Sequence, residues 1–221
     1  MLNFWNWPRR SDEKAIEIES PVEEIENDTT HYLFIHGANQ SRLSWNCIIH
    51  LLQPQNYTTL EYNTNNRFFD NLDMLSEQIA NIDVKMFIVG HSLGGIYGLH
   101  LYNLHRDKFK GAVTASTPYG GSRTADWAKY MVPGYPLFKE IGVRAKPISE
   151  LKNIKIEIPW TQIVTTRGAT PWHGGANDGV VTYDSMTLRD DMQYIEVAEN
   201  HYEILASDDT VEIIKKLATK T

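Results

Sequence analysis

The chain has one cysteine, Cys47, in 221 residues. An intrachain disulfide and a cysteine zinc site are therefore excluded, and the composition fits a reducing, cytoplasmic setting. Cys47 itself is expected in the core of a helix. No apolar run approaches the roughly 20 residues of a membrane span, and the mean hydropathy is −0.39. No Lys/Arg stripe forms, and 21 basic against 28 acidic residues leave a net charge of −7. A nucleic-acid backbone would have to bind against that field, so no nucleic-acid partner is expected. No apolar segment follows a basic start, so no secretion signal is expected. Internal repeats and low-complexity runs are absent too. What remains is a chain of ordinary composition, 42% hydrophobic, long enough for one α/β domain with a full core.

One stretch organises it. Met86 to Val89 has the length and β-branched content of an interior strand, and Ile96, Leu99, Leu101 and Leu104 continue at helical spacing. Gly90-His91-Ser92-Leu93-Gly94 lies between them. Turning from strand to helix in so few residues crowds the backbone around Ser92, so the positions two before and two after must be small. The turn would lift the Ser92 hydroxyl to a helix N-terminus, where free N–H groups favour developing negative charge. Three fixed positions alone match by chance in about 3 × 10⁻⁴ of windows, so the flanking strand and helix carry the weight. The alternative is a glycine-rich junction with a solvated serine.

Strands and helices alternate around this turn. Tyr32 to Ile35 reads as a strand, Leu43 to Leu52 as a helix, Tyr57 to Tyr62 as a strand and Leu72 to Ile82 as a helix. After the central unit come strands at Gly111 to Ala115, Trp160 to Thr166 and Tyr194 to Ala198, then a helix at Val211 to Leu217. Such alternation predicts a parallel sheet with helices on both faces. The reading divides the chain into an arm over residues 1–30 and a domain over 31–221, with an insertion at about 117–159 rich in Gly, Pro and aromatics.

A serine nucleophile needs a base within hydrogen-bond reach and a third group to orient that base. His201 follows the last strand, where active-site groups of open parallel sheets gather, and is the candidate base. His173 is the second choice, and His91 is expected to point away from Ser92 at the turn. His31, His50, His100 and His105 are read as packed or solvated. Asp178, in Asn177-Asp178-Gly179-Val180-Val181 after the strand at 160–166, is the candidate orienting acid. An Asp-Gly pair is also an everyday turn; Asp184, Asp190 and Asp191 are expected in solvent. The oxyanion of a tetrahedral intermediate needs preset N–H donors. Leu93 N–H is one, and Ala38 N–H, after Gly37, is the other, with Asn39 as the alternative. A plain glycine turn into a helix capped by Ser41 or Ser44 is the competing reading of that loop.

His36-Gly37, the elbow Gly-His-Ser-Leu-Gly-Gly, Asn-Asp-Gly-Val-Val and a late histidine, in the order Ser, Asp, His, resemble the α/β-hydrolase superfamily. Thr117-Pro118-Tyr119-Gly120-Gly121-Ser122 is similar to the segment that follows the post-elbow strand in small lipases and serine esterases, including those akin to GPI inositol-deacylases. The resemblance implies a minimal α/β-hydrolase fold with a mostly parallel sheet, the usual first two strands being absent or reduced. It also implies cleavage of carboxylic esters, lipidic or acyl, by Ser92, His201 and Asp178 through an acyl-enzyme, with no metal or organic cofactor. The same triad would serve an acyltransferase or thioesterase. A noncatalytic binding module on the same fold is the reading from another class.

Two further segments carry expectations. Trp127, Tyr130, Met131, Leu137 and Phe138 in the insertion are read as a lid lining an acyl site, movable at Pro133-Gly134 and Gly120-Gly121, or else as a cap that completes the core. Trp5, Trp7, Arg9 and Arg10 are read as a frayed or packing arm, or as an interfacial anchor giving peripheral membrane contact through residues 4–10. Ala15 to Glu19 alternates with period two and reads as an edge strand.

Overall fold

A computed structural model describes residues 29–121, 142–168 and 175–221. Residues 1–28 of the arm, with the expected strand at 15–19, His173 and the five lid candidates lie outside these residues. Six strands are described: β1 (His31–Ile35), β2 (Asn56–Leu60), β3 (Met86–His91), β4 (Phe109–Ala115), β5 (Trp160–Thr165) and β6 (Gln193–Val197). They form one wholly parallel sheet in the order β2-β1-β3-β4-β5-β6.

Successive side chains of a strand point to opposite faces, so a strand buried on both sides feeds two cores. Leu33 and Ile35 of β1 join one buried cluster while Tyr32 and Phe34 join the other; Met86 and Ile88 of β3 part from Phe87 and Val89 in the same way. Helices cover both faces. On the first lie α2 (Phe68–Ala80), α3 (Leu93–Leu104) and α4 (Lys146–Leu151), and on the second α1 (Asn46–Leu52) and α6 (Asp208–Ala218). A short α5 (Tyr183–Met186) follows the loop after β5. The amphipathic α6 buries Thr210, Ile214 and Ala218 at intervals of one turn, with Asp208 and Asp209 at its start and Lys215 and Lys216 at its end, as its dipole favours. By contrast α3 is buried from Leu93 to Tyr102, because α2 and α4 flank it.

Local spacing misses three details. The helix expected at 43–52 is a 3-10 turn, Arg42–Trp45, followed by α1, and Ser41 caps the turn by accepting from Leu43 N. Helix α2 starts at Phe68, ahead of the expected Leu72, because Phe68 stacks on Tyr97 of α3 with ring centroids 4.2 Å apart. Cys47 is exposed rather than in the core: on α1 the inward position is Ile48, and one residue rotates the side chain about 100° around the helix.

The chain leaves β1 toward β2 on one side, whereas it leaves β3 toward β4 on the other. The two exits part between β1 and β3, which opens a crevice at the carboxyl ends of these strands. The end of the insertion belongs to the core: Ile148, Leu151, Ile154 and Ile156 are buried in the first cluster. Arg189 fixes it there. Its guanidinium donates to Leu151 O at 2.7 Å and Ile154 O at 2.6 Å and pairs with Asp191 at 2.7 Å. Asp191 also accepts from Ile156 N, so it is bound where the sequence suggested solvent, while Asp184 and Asp190 are exposed as expected.

Candidate active site

Ser92 stands between β3 and α3 with φ 52° and ψ −121°, a conformation that a residue bearing a Cβ holds only when its surroundings enforce it. The neighbouring glycines show how. A Cβ on Gly94 would lie 2.1 Å from Ile35 O and 2.5 Å from His36 O, and one on Gly90 would lie 2.9 Å from Gly95 Cα. Ser92 N donates to Ala115 O at 2.9 Å, which ties the turn to the end of β4.

His201 Nε2 lies 3.1 Å from Ser92 Oγ, and His201 Nδ1 lies 2.8 Å from Asp178 Oδ2. Because a carboxylate can only accept, Nδ1 carries the ring proton, and bare Nε2 faces the hydroxyl. All three side chains are buried. Asp178 accepts four hydrogen bonds: Val180 N and Val181 N on Oδ1, Thr165 Oγ1 and His201 Nδ1 on Oδ2. Burial pushes its pKa up, but His201, Val181 N–H and Thr165 outweigh burial and hold the carboxyl below its ordinary value. The backbone repeats the pairing, as His201 N donates to Asp178 O at 3.0 Å.

The loop after β1 faces the same crevice. Gly37 N donates to Gln40 Oε1 at 2.8 Å and Asn39 N to Thr64 Oγ1 at 3.1 Å, whereas Ala38 N–H and Leu93 N–H have no acceptor among the described residues. This separates Ala38 from the alternative Asn39. The ring of His36 fixes the direction of the Ala38 amide: His36 Nδ1 donates to Gly37 O at 2.8 Å, and in a trans peptide the Ala38 N–H points opposite that carbonyl. His36 is wholly buried and stacked on Tyr62 at 4.1 Å. The loop also leads into the turn capped by Ser41.

Two residues that the sequence pattern did not mark complete the arrangement. Thr165, the last residue of β5, donates to Asp178 at 2.7 Å and accepts from Ser116 Oγ at 2.7 Å. Strand-end position was its only signal. His91 does point away from Ser92, and it reaches the carbonyl of His201 instead, 2.8 Å from Nε2. Its Nδ1 faces Gln40 Oε1 at 3.0 Å, the oxygen that already accepts from Gly37. Burial, with His201 beside it, lowers the His91 pKa to about 3, so the ring is neutral and its one proton sits on Nε2.

Among the described residues no group of three or more His, Cys, Asp or Glu is placed to hold a metal ion, and no helix is long and apolar enough to cross a membrane.

The sequence matches no protein-family model and no curated protein. Solved structures do match. A lipase of Bacillus licheniformis in its mature form superposes with a TM-score of 0.72 at 17% identity, over 90% of this chain and 96% of that one. A monoacylglycerol lipase of Paleococcus ferrophilus gives 0.63 at 14% identity, over 86% and 95% of the two chains. A lipase-esterase related protein of Clostridium acetobutylicum gives 0.61 at 12% identity, over 87% and 96%. The chain therefore has the α/β-hydrolase fold of lipases and esterases.

Proposed function

We propose that this chain, built on the α/β-hydrolase fold, hydrolyses carboxylic esters with Ser92 as nucleophile. The observation that carries the reading is the unbroken line Ser92 Oγ, His201, Asp178, at 3.1 Å and 2.8 Å, beside two amides without acceptors among the described residues.

Bare Nε2 of His201 takes the Ser92 proton as Oγ attacks the ester carbonyl. Negative charge gathers on the carbonyl oxygen, where Ala38 N–H and Leu93 N–H donate to it without reorganising. The imidazolium is stabilised by Asp178, a carboxylate whose four hydrogen bonds hold it ionised and in place. His201 then hands its proton to the leaving alkoxide, and an acyl-enzyme remains on Ser92. Water repeats the sequence with His201 as base and frees the acid.

The experiment is covalent labelling with a fluorophosphonate, read by mass spectrometry, together with hydrolysis of short-chain esters. A label on Ser92, lost together with hydrolysis in Ser92→Ala, is the expected result. An unlabelled, folded protein would return the chain to the noncatalytic binding module.

A further inference from the structure

Next to the oxyanion loop lies a cavity of about 460 Å³ whose walls include Asn39, Gln40, Glu61, Tyr62, Thr64 and Asn65. Its size suits a small-molecule site, and its described lining residues bring more side-chain amides and hydroxyls to the apolar surface than such sites usually carry. We infer that this cavity binds the polyhydroxylated alcohol portion, glycerol- or sugar-like, of the ester whose carbonyl Ser92 attacks; the inference rests on the proposed hydrolysis.

The cavity adjoins the reacting centre through the loop itself. The point where a Gly37 Cβ would stand is 2.8 Å from Gln40 Oε1 and 3.1 Å from Ser92 Cβ, so the cavity wall and the nucleophile meet across one glycine. Asn39 N, donating to Thr64 Oγ1, fastens the loop to the opposite wall.

The lining selects the chemistry. Side-chain amides offer a donor and an acceptor each, which is what a hydroxyl group needs from its surroundings. Among the described residues the lining holds no Lys, Arg or His and one carboxylate, Glu61, so a phosphate or carboxylate would meet like charge there. Glu61 accepts from Arg42 N at 2.9 Å, which steadies it and leaves lone pairs for hydroxyl donors. Tyr62 and Met74 add apolar surface for the C–H faces of a polyol. Thr64 is buried and accepts from Asn39, so its own proton is available to the cavity.

The amide-bearing rim is braced before any ligand arrives. Asn63 Oδ1 accepts from Asn65 N at 2.9 Å, and Asn66 N donates to Asn63 O at 3.0 Å. Beneath them Asn71, buried on α2, donates to Asn63 O at 2.9 Å and to Tyr97 at 3.2 Å. A buried amide spent on holding a surface turn is preorganisation of that turn.

The test compares kcat/KM for 6-O-acetylglucose and monoacetylglycerol with that for ethyl acetate, in the wild type, Asn65→Leu and Met74→Trp. Asn65→Leu removes an amide whose side chain bonds to no other described residue, and Met74→Trp fills the cavity. The wild type should prefer the polyol acetates, and the two arms tell a sugar ring from a short triol. The ratio of polyol to ethyl ester should fall about fivefold in Asn65→Leu and about tenfold or more in Met74→Trp. A wild type without preference, or a ratio unmoved in both variants, would overturn the subsite. If the wild type cleaves none of the esters, the proposed hydrolysis fails by itself. Calorimetric binding of 6-O-acetylglucose to Ser92→Ala, and its loss on adding Met74→Trp, then decides the subsite: binding lost supports it, and no binding at all removes it.

Discussion

His91 donates from Nε2 to the backbone carbonyl of His201, 2.8 Å away, and the two rings sit 4.8 Å apart. The residue before the proposed nucleophile thus holds the residue proposed as base, across 110 positions of sequence. His91 touches no reacting atom; it is a positioning residue. His91→Phe keeps a ring of similar shape and removes the donor, so the His201 loop should drift. We expect kcat to fall about 10- to 100-fold with KM little changed. A kcat equal to that of the wild type would show that the carbonyl needs no clamp.

The same ring governs acid stability. A histidine held neutral down to about pH 3 in the folded state, against an ordinary value of 6.5, takes up its proton on unfolding. The unfolded state then binds more protons, so stability falls as the pH drops from 6.5 toward 3, by up to about 1.4 kcal/mol per pH unit. His36 and His100, also lowered mainly by burial, add in the same direction. Asp178, held below 3.8, keeps its contribution above that value and loses it only as the pH falls through its own lower pKa. Urea midpoints measured from pH 7 to pH 4 should decline, and less steeply in His91→Phe. Parallel slopes in the two proteins would contradict a neutral His91.

Asp178→Asn should be far more harmful than the loss of one charge suggests. Oδ1 accepts from two backbone amides, so an Asn must keep its oxygen there and turn its NH2 toward His201. That NH2 donates to Nδ1 and drives the ring proton to Nε2, where it faces Ser92 and cannot serve as base. A loss of about 10³- to 10⁴-fold in kcat is expected, with the fold retained. Comparable losses in Ser92→Ala and His201→Ala would show the three acting as a unit.

Much of this site was legible because the chemistry constrains sequence locally. Gly90, Ser92 and Gly94 are dictated by one turn, and Asp178 and His201 by the strand ends that they follow. The resemblance drawn from the same residues pointed to the fold that the solved structures show. Thr165, Gln40 and the bond from His91 to His201 were not legible, because each depends on where a distant loop comes to rest. Cys47 was misread for a related reason: composition favours burial of cysteine, but only the helix phase set by Ile48 decides which neighbour faces inward.

Gly94→Ala should be among the costliest single-methyl changes in the chain. The new methyl would collide with the backbone oxygens of Ile35 and His36, which cannot swing aside as a side chain does, so a loss of about 3 kcal/mol or more is expected. Gly175→Ala is the control: among the described residues a Cβ there meets nothing within 4 Å, and the change should stay within about 0.5 kcal/mol. Thermal denaturation of both proteins makes the comparison, and equal melting temperatures would refute the packing argument.

The wholly parallel sheet bears on how the chain reaches its native state. Parallel neighbours cannot be joined by a tight turn, so no adjacent pair of these strands can form as a local hairpin. Tyr32 pairs with Phe87, and Ser92 meets His201 across 109 residues, only after long loops have closed. Loop entropy is lost before those contacts repay it, which makes such sheets slow to assemble. Helices such as α6 can gather early, while the crevice between β1 and β3 exists only once both strands are paired. During refolding, helical signal should therefore return before a fluorophosphonate can react with Ser92, and the reagent would time the closing of the sheet.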